Sequence, residues 1–284
     1  MHDCTDLAGA EAAAELERRF GGVARLYGAA ALHRFAAARV AVVGLGGVGS
    51  WAAEALARSA VARITLIDLD HISPSNTNRQ LHALSGDFGM AKVQAMALRL
   101  GAIHPQAQVH AIEDFVTPQN AAQLLAGVDL VIDCIDQPSA KAAMVAHARS
   151  LGLPIVVCGG AGGRRDPLRI RCGDLARTEG DALLASVRQR LRKDYGFAGR
   201  GRAKHAPRFG VTAVYSDEPL QRAPVCAPDE AAPGSPLACG GYGSAVTVTA
   251  AMGLAAAACA LDHLAGTGVP ADLMGVNAAA GAAD

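Results

Sequence analysis

Several residues in the first half of the chain could together act on a nucleotide. The glycines within residues 44–49 follow the spacing G-x-G-x-x-G, which brings phosphate oxygens close to backbone N–H groups at the start of a helix. Arg79 and Lys92 add positive charge, and Asp136 adds a carboxylate. Such cations can neutralise a triphosphate, and such a carboxylate can hold Mg²⁺. Because hydride transfer needs none of these groups, the set predicts ATP chemistry.

An acidic residue and a polar stretch extend this set. Asp68 lies 19 residues after Gly49, near the roughly 20-residue spacing at which a carboxylate meets a ribose hydroxyl. The alternative is an ordinary aspartate in the turn after a strand. Residues 71–80 are too polar and rich in turn formers for a core segment, so we expect them to face a ligand. The glycines alone do not distinguish a dinucleotide site from an ATP site, although no Gly-Lys-Ser/Thr follows them as in a Walker-type loop.

The hydrophobic pattern predicts the elements that position these residues. Strands are predicted at residues 40–43, 63–68, 108–112, 129–135 and 154–158, and helices at 51–59, 90–103, 118–126 and 139–151. This alternation predicts an α/β fold: a Rossmann-like, mostly parallel sheet with helices on both faces. Beyond residue 163 the alternation stops. Two strands that look isolated, at 168–172 and 211–216, are expected to extend the fold as antiparallel strands, followed by a long Ala-rich helix over 242–264.

The same pattern divides the chain into four parts. Residues 1–38 are predicted as N-terminal helices, the first of them ending at Gly21-Gly22. Residues 39–163 form the ATP-binding core, and residues 164–266 form a substrate-facing half packed on the same sheet. Residues 267–284 are predicted to be a disordered tail.

Composition limits the class of protein. The 284 residues are 51% hydrophobic and carry no net charge, which fits a folded chain with a sizeable core. The first residues show no basic cluster followed by an apolar run, so no secretory signal is visible and we expect a cytoplasmic protein. The seven cysteines include no C-x-x-C pair, which argues against a disulfide framework and against zinc. Residues 242–261 are uncharged but mostly small, which favours a buried helix over a membrane span.

Positive charge is concentrated in the second half of the chain. Between residues 186 and 208 there are eight basic residues against one acid, a pattern typical of polyanion contact. The alternative is a solvated helix face and a basic loop. We predict a nucleic-acid-binding segment whose contacts come from Arg188, Arg192, Arg200, Arg202 and Lys204.

At these residues the sequence resembles the ubiquitin-activating-enzyme-like adenylyltransferases of the ThiF/MoeB type. The resemblance is carried by residues 44–50, by Asp68-Leu69-Asp70, by Asn78-Arg79-Gln80, by Lys92 and by Asp136. It implies ATP and Mg²⁺, with Arg79, Lys92 and Asp136 as catalytic residues and Asp136 as the metal ligand. It also implies a homodimer in which an arginine, here Arg25, reaches the neighbouring subunit's ATP. The residues implied to contact the nucleotide are Gly44, Gly46, Gly47, Gly49, Ser50, Asp68, Asp70, Asn76, Asn78 and Gln80.

One branch of that superfamily, the tRNA threonylcarbamoyladenosine dehydratases, is similar over almost the whole chain. The matching segments include residues 19–28, 47–58, 114–118, 159–163 and 239–243. The similarity implies that ATP activates the threonylcarbamoyl carboxylate on an adenosine of the tRNA anticodon loop, which then cyclises with loss of water. It also implies a link to a cysteine-desulfurase sulfur-transfer system, with Cys239 as a possible functional thiol. The alternatives are adenylation of the C-terminus of a ubiquitin-like sulfur carrier and a nucleotide-sensing module without turnover.

Overall fold

The described residues form one seven-stranded sheet. The computed structural model describes residues 4–199, 207–221 and 242–267, and side chains from residue 14 onward. The sheet order is β3-β2-β1-β4-β5-β7-β6, and every neighbouring pair is parallel except β6 with β7. The strands are β1 (Arg39–Val43), β2 (Arg63–Ile67), β3 (Gln108–Ile112), β4 (Leu130–Asp133), β5 (Ile155–Cys158), β6 (Ile170–Asp174) and β7 (Thr212–Ser216). The predicted α/β fold with a mostly parallel sheet is confirmed.

Two strands that look isolated in the sequence belong to this sheet. β7 pairs with β5 in parallel, and β6 pairs with β7 antiparallel, from Ile170 opposite Ser216 to Asp174 opposite Thr212. The expectation that these two strands extend the fold as antiparallel strands is therefore confirmed for β6 with β7, whereas β7 joins β5 in parallel. The pairing of β6 with β7 has no local sequence signal, because a helix and a long segment separate the two strands along the chain. Sequence pattern reports local periodicity, whereas these ladders join distant residues.

Eight helices pack around the sheet within the described residues. They are α1 (Cys4–Tyr27), α2 (Ala29–Ala37), α3 (Gly49–Arg58), α4 (Lys92–Ile103), α5 (Ala121–Leu124), α6 (Pro138–Leu151), α7 (Ala182–Asp194) and α8 (Val246–Ala265). The predicted end of the first helix at Gly21-Gly22 was wrong, since α1 continues to Tyr27. Phe20 is buried against Leu32 and Ala60, and this packing outweighs the cost of about 1 kcal/mol for each helical glycine.

The two faces of the sheet bury different helices. On β1, Val40 and Val42 pack with α3, α4 and α8, whereas Ala41 and Val43 pack with α6 and α7. This alternation is the period of two that a strand imposes on its side chains. The carboxyl ends of β1, β2, β4 and β5 consequently share one edge of the sheet. The chain crosses between faces at β1 and β4, and such a switch point leaves a crevice for a ligand.

Helix α8 lies inside the fold although it is long and apolar enough to span a membrane. Among the described residues it is the one helix with that length and hydropathy, and more than half of it is buried. It runs beside α3, where Gly253 lies against the backbone of Val48 and Ala52. Its burial agrees with the buried helix that the sequence predicts. In the first turn of α8, Thr249 lies against Gly47 of the glycine turn.

Candidate active site

The glycines between β1 and α3 have different structural tasks. Gly44 has a φ of 86°, in the left-handed region that favours glycine, and a Cβ there would lie 3.0 Å from the backbone nitrogen of Ile135. A Cβ on Gly49 would overlap the carbonyl oxygen of Gly44. At Gly46, by contrast, a Cβ would meet nothing within 4 Å. Gly44 and Gly49 therefore allow the turn to close, and Gly46 leaves an open approach to its backbone at the start of α3.

Ser50 and Gly47 help to hold this turn in place. The Ser50 hydroxyl is buried, donates to the carbonyl oxygen of Gly46 at 2.8 Å and accepts from the Leu81 backbone at 3.3 Å. A Cβ on Gly47 would lie 3.1 Å from Cγ of Arg79. Because the Ser50 hydroxyl is hydrogen-bonded inside the protein, its side chain secures the turn, and the nucleotide contact of Ser50 stays a prediction.

The acidic residues after β2 are paired with Lys92. The Asp68 carboxylate accepts from the backbone nitrogens of Leu45, at 2.6 Å, and Asp70, at 2.8 Å. Nζ of Lys92 lies 2.7 Å from the Asp70 carboxylate and 3.9 Å from that of Asp68. Burial raises the pKa of Asp68, and the nearby Lys92 ammonium opposes that rise. Asp68 thus joins the glycine turn to the first residue of α4, and Lys92 brings a buried positive charge to the same edge.

The polar stretch after β2 forms a short 3₁₀ turn, Pro74–Asn76, that carries Arg79. Nη1 of Arg79 donates to the Ser75 carbonyl oxygen at 2.9 Å and to Oδ1 of Asn78 at 2.8 Å. Asn78 in turn donates to the Ser244 carbonyl oxygen at 2.8 Å, just before α8. The Nε and Nη2 groups of Arg79 donate to no described residue. Arg79 is therefore held at one end and keeps donors available for an anion.

Asn76 has a local role that the sequence did not predict. Its Oδ1 accepts from the Ser73 backbone at 3.0 Å and so closes the 3₁₀ turn. The Asn76 side-chain oxygen therefore caps its own turn, and the nucleotide contact of Asn76 stays a prediction.

Two buried polar side chains next to Arg79 lack partners among the described residues. They are Gln80, through Oε1, and His82, through both ring nitrogens. Burial and the nearby Lys92 ammonium lower the pKa of His82 from 6.5 to about 4. His82 was not among the predicted site residues, and a single histidine in a polar stretch gives no sequence signal for burial. The imidazole is therefore a neutral group beside Lys92 at physiological pH.

The buried His82 should make the folded protein sensitive to acid. Above pH 6.5 the imidazole is neutral in both folded and unfolded chains, so it has no effect there. Between about pH 6.5 and 4 only the unfolded chain binds the proton. Lowering the pH through this window should therefore reduce the free energy of unfolding by about 3 kcal/mol. Urea denaturation at pH 7.5, 5.5 and 4.5 measures this loss.

The matched variants for this measurement are His82→Gln and His110→Gln. His110 is an exposed histidine on β3. We expect the His82→Gln protein to lose less stability on acidification than the wild type, and the His110→Gln protein to follow the wild type. Equal pH dependence in all three proteins would contradict a buried neutral imidazole at His82.

Asp136 lies beside the glycine turn, on the loop between β4 and α6. The preceding residue, Ile135, is the one that packs on Gly44. The Asp136 side chain is exposed and makes no hydrogen bond or ion pair with a described residue. No three His, Cys, Asp or Glu side chains come together as a metal site in the described parts of the chain. One free carboxylate beside bound phosphates is nevertheless the donor set that Mg²⁺ uses with nucleotides, since waters complete its shell. The residues present therefore fit Mg²⁺ bound together with ATP.

Two buried charges lie beneath Asp136. Nζ of Lys141 lies 2.8 Å from Oδ1 of Asp133, and both side chains are fully buried. Burial raises the pKa of Asp133, and the Lys141 ammonium opposes that rise. Lys141 gives no sequence signal of burial, since one lysine in an Ala-rich helix is typical of an exposed position.

Arg25 lies at the opposite end of the fold from this chain's glycine turn. It is exposed near the end of α1, and its neighbour Tyr27 is close to Asp262 in the last turns of α8. The glycine turn contacts α8 at Thr249 and Gly253, nine to thirteen residues before Asp262, so about 14–20 Å of helix separate the two contacts. Arg25 does not belong to the site of its own chain. Its action on a neighbouring subunit stays a prediction.

The basic segment includes residues that the fold itself uses. Arg188 is buried and donates to the Thr178 hydroxyl, and Arg192 lies over the Phe209 ring at 5.3 Å and donates to the Ala198 carbonyl oxygen. The prediction of Arg188 as a surface contact was therefore wrong, and Arg192 is largely a packing residue. The exposed basic residues here are Arg190, Lys193 and Arg208. The predicted positions Arg200, Arg202, Lys204 and Cys239 lie outside the described residues.

Helix α7 connects the site edge to these exposed cations. Its N-cap, Asp181, accepts from the Gly160 backbone at 2.9 Å, at the carboxyl end of β5, and from Leu184 at 2.9 Å. A buried ion pair between Arg164 and Asp181, at 3.4 Å, holds the same loop. The helix then runs for 13 residues, or about 20 Å. Its basic end therefore lies near the amino ends of the parallel strands, whereas the glycine turn lies at their carboxyl ends.

Comparison with known proteins identifies relatives over most of the chain. The model of the ThiF family matches residues 20–279. The tRNA threonylcarbamoyladenosine dehydratase of Escherichia coli K12 is 47% identical over 87% of this chain and 93% of its own length. That of Haemophilus influenzae is 41% identical over 87% and 94%. Crystal structures of the E. coli enzyme with AMP and with ATP superpose with TM-scores of 0.79 and 0.78, at 44% identity, over 88% of this chain and 95% of theirs.

Proposed function

Because the chain belongs to the ThiF family, we propose that it uses ATP to cyclise the threonylcarbamoyl group of a tRNA adenosine, with loss of water. The tRNA threonylcarbamoyladenosine dehydratases of E. coli and H. influenzae each match 87% of the chain. The observation that carries the proposal is the meeting of the glycine turn with Asp68, Arg79, Lys92 and Asp136 at one edge of the sheet. That edge offers a nucleotide both an anion cradle and neutralising charges.

Each group at this edge has a task in binding and orienting ATP. The backbone N–H groups at Gly46 and at the start of α3 face phosphate oxygens, where the helix dipole favours negative charge. The free N–H groups of Arg79 and the ammonium of Lys92 neutralise the triphosphate. Asp136 would hold Mg²⁺, which supplies further charge neutralisation when bound. Asp68, already fixed by Leu45, is the group we assign to the ribose.

These charges support activation of a carboxylate. A carboxylate is a poor electrophile until one of its oxygens becomes part of a leaving group. Its attack on the α-phosphorus of ATP, which breaks the bond to the β-phosphate oxygen and releases pyrophosphate, achieves this, and AMP then leaves when the ring closes. During the attack, negative charge develops on the phosphate oxygens, where Lys92 and Arg79 stabilise it. Ring closure of the activated group needs mainly proximity of the internal nucleophile.

The tRNA, the oligomeric state and the sulfur-transfer partner belong to the same proposal. Exposed cations at the end of α7 suit the tRNA backbone. Arg25 supports a homodimer, since it lies far from its own chain's nucleotide site. A sulfur-transfer partner acting near Cys239 follows from the resemblance, and a cytoplasmic location suits a chain whose relatives modify tRNA.

Product analysis tests the proposed reaction directly. The protein is incubated with ATP, Mg²⁺ and tRNA that carries threonylcarbamoyladenosine, and the nucleosides are analysed by mass spectrometry. We expect a nucleoside lighter by one water together with consumption of ATP, and no product with unmodified tRNA. ATP consumption with a ubiquitin-like carrier that ends in glycine, without a tRNA product, would support the sulfur-carrier alternative. ATP binding without turnover on either substrate would support the sensing module.

Charge reversal at the end of α7 tests the tRNA surface. The triple variant Arg190→Glu, Lys193→Glu and Arg208→Glu should weaken tRNA binding. The logarithmic salt dependence of the binding constant should also fall by about one for each lost phosphate contact. Arg18→Glu, a change at an exposed cation on α1, is the matched control and should leave both unchanged. An unaltered salt dependence in the triple variant would place the tRNA elsewhere.

A further inference from the structure

The buried ion pair of Asp133 and Lys141, beneath Asp136, also makes hydrogen bonds to the backbone. Besides its 2.8 Å contact with the Asp133 carboxylate, Nζ of Lys141 donates to the Asp133 carbonyl oxygen at 3.1 Å. Oδ1 of Asp133 also accepts from the Ile135 backbone at 3.2 Å. Asp133 is the last residue of β4 and Lys141 is in the first turn of α6. The pair therefore links the strand and the helix that flank Asp136.

These bonds fix both ends of the segment that carries Asp136. At its start, the Cys134 backbone donates to the Val43 carbonyl oxygen at 2.8 Å, and Ile135 is held by Asp133. At its end, the Lys141 backbone donates to the Gln137 carbonyl oxygen at 3.0 Å. Asp136 itself has no such bond to a described residue. Its position is therefore set by its neighbours in the chain.

A contribution to folding stability does not by itself explain why two charged side chains are buried here. A buried ion pair costs desolvation that its attraction only partly returns, and apolar side chains of similar size often replace such a pair without loss of stability. Oδ2 of Asp133 in addition has no partner among the described residues. Two apolar side chains could not make the hydrogen bonds to the Asp133 carbonyl oxygen and to the Ile135 N–H group. Those hydrogen bonds orient the loop.

We propose that Asp133 and Lys141 are positioning residues that hold the 134–137 segment so that the Asp136 carboxylate meets Mg²⁺ bound with ATP. The proposal rests on the proposed function, in that it needs Mg-ATP at this edge of the sheet. Groups behind a metal ligand that orient it are known to change metal affinity by about 10- to 100-fold when they are removed. The two buried residues act through Asp136 and do not touch the nucleotide.

Calorimetric titration with ATP, in excess Mg²⁺ and in EDTA, tests the proposal without tRNA. The double variant Asp133→Leu, Lys141→Met replaces the pair with apolar side chains of similar volume. We expect its melting temperature to stay near the wild-type value, and the gain in ATP affinity that Mg²⁺ gives to fall by about tenfold or more. Binding in EDTA should not change. Asp136→Asn should cause the same loss.

A triple variant distinguishes a loss of the position of Asp136 from a general disturbance of the fold. If the pair acts through Asp136, the triple variant Asp133→Leu, Lys141→Met, Asp136→Asn loses no more of the Mg²⁺ effect than Asp136→Asn alone. Should the double variant not fold, Lys141→Met alone is the second test and should lose the Mg²⁺ effect likewise. A full Mg²⁺ effect in the double variant, or losses that add in the triple variant, would overturn the proposal. A wild-type protein that binds ATP equally in Mg²⁺ and EDTA would remove its premise, while product analysis separately decides the proposed reaction.

Discussion

Replacement of Lys92 by methionine should reduce ATP-dependent turnover by about 10²- to 10³-fold. Methionine keeps the length of the stem but removes the charge that lies 2.7 Å from Asp70 and 3.9 Å from Asp68. Two losses combine in this variant. The triphosphate loses a buried cation, and Asp68, whose pKa burial already raises, loses the ammonium that opposes that rise. Single-turnover rates with saturating ATP and modified tRNA measure the effect.

The matched control is Arg63→Met, which removes one positive charge from the exposed opposite end of β2. Its turnover should stay within about twofold of the wild-type value, as for most surface changes. Circular dichroism of both variants checks that the sheet remains folded. Turnover of the Lys92→Met protein within about tenfold of wild type would remove Lys92 from the charge-neutralising set.

Replacement of Gly253 by alanine should destabilise the protein by about 1–3 kcal/mol, because the extra methyl group enters a closely packed contact. A Cβ at Gly253 would overlap the Val48 carbonyl oxygen and lie 3.0 Å from the Ala52 nitrogen and from Cβ of Trp51. Since Val48 belongs to the glycine turn, the shift of α8 should also weaken ATP binding. Urea denaturation and ATP titration measure the two effects.

Gly101→Ala provides the comparison, because Gly101 is also a glycine inside a helix, here α4. A Cβ there would meet nothing within 4 Å. Alanine costs less backbone entropy in a helix than glycine, so this variant should be more stable by about 0.5–1 kcal/mol. Stabilisation by both substitutions would show that α8 and α3 tolerate a wider separation than the structure describes.

The arrangement of the sheet core was predictable because its signals are local. β-branched runs that alternate with helix formers give the parallel strands, and the spacing within residues 44–49 gives the turn between β1 and α3. The same locality explains the errors. Gly21-Gly22 reads as a helix end, yet contacts of Phe20 with Leu32 and Ala60 carry α1 through it. Tertiary packing overrides a weak intrinsic preference.

Residue type predicted which residues lie at the candidate site better than it predicted what each side chain does there. Lys92 and Asp68 lie together as expected. Ser50 and Asn76, however, use their side chains to hold their own turns. His82 and Lys141 gave no signal, because burial of a polar side chain depends on what packs over it. Arg188 reads as part of a basic surface, but α7 turns it inward to Thr178.

The sequence by itself determined the α/β fold, the glycine turn and the charged residues available for ATP, since these depend on periodicity and on residue types at fixed spacing. Only the tertiary structure decided which charges are buried as pairs, which cations face solvent, and where Arg25 lies relative to the nucleotide site. Those properties arise when distant segments pack together, as α8 does on α3 at Gly253. The spacing of residues along one chain carries no measure of that packing.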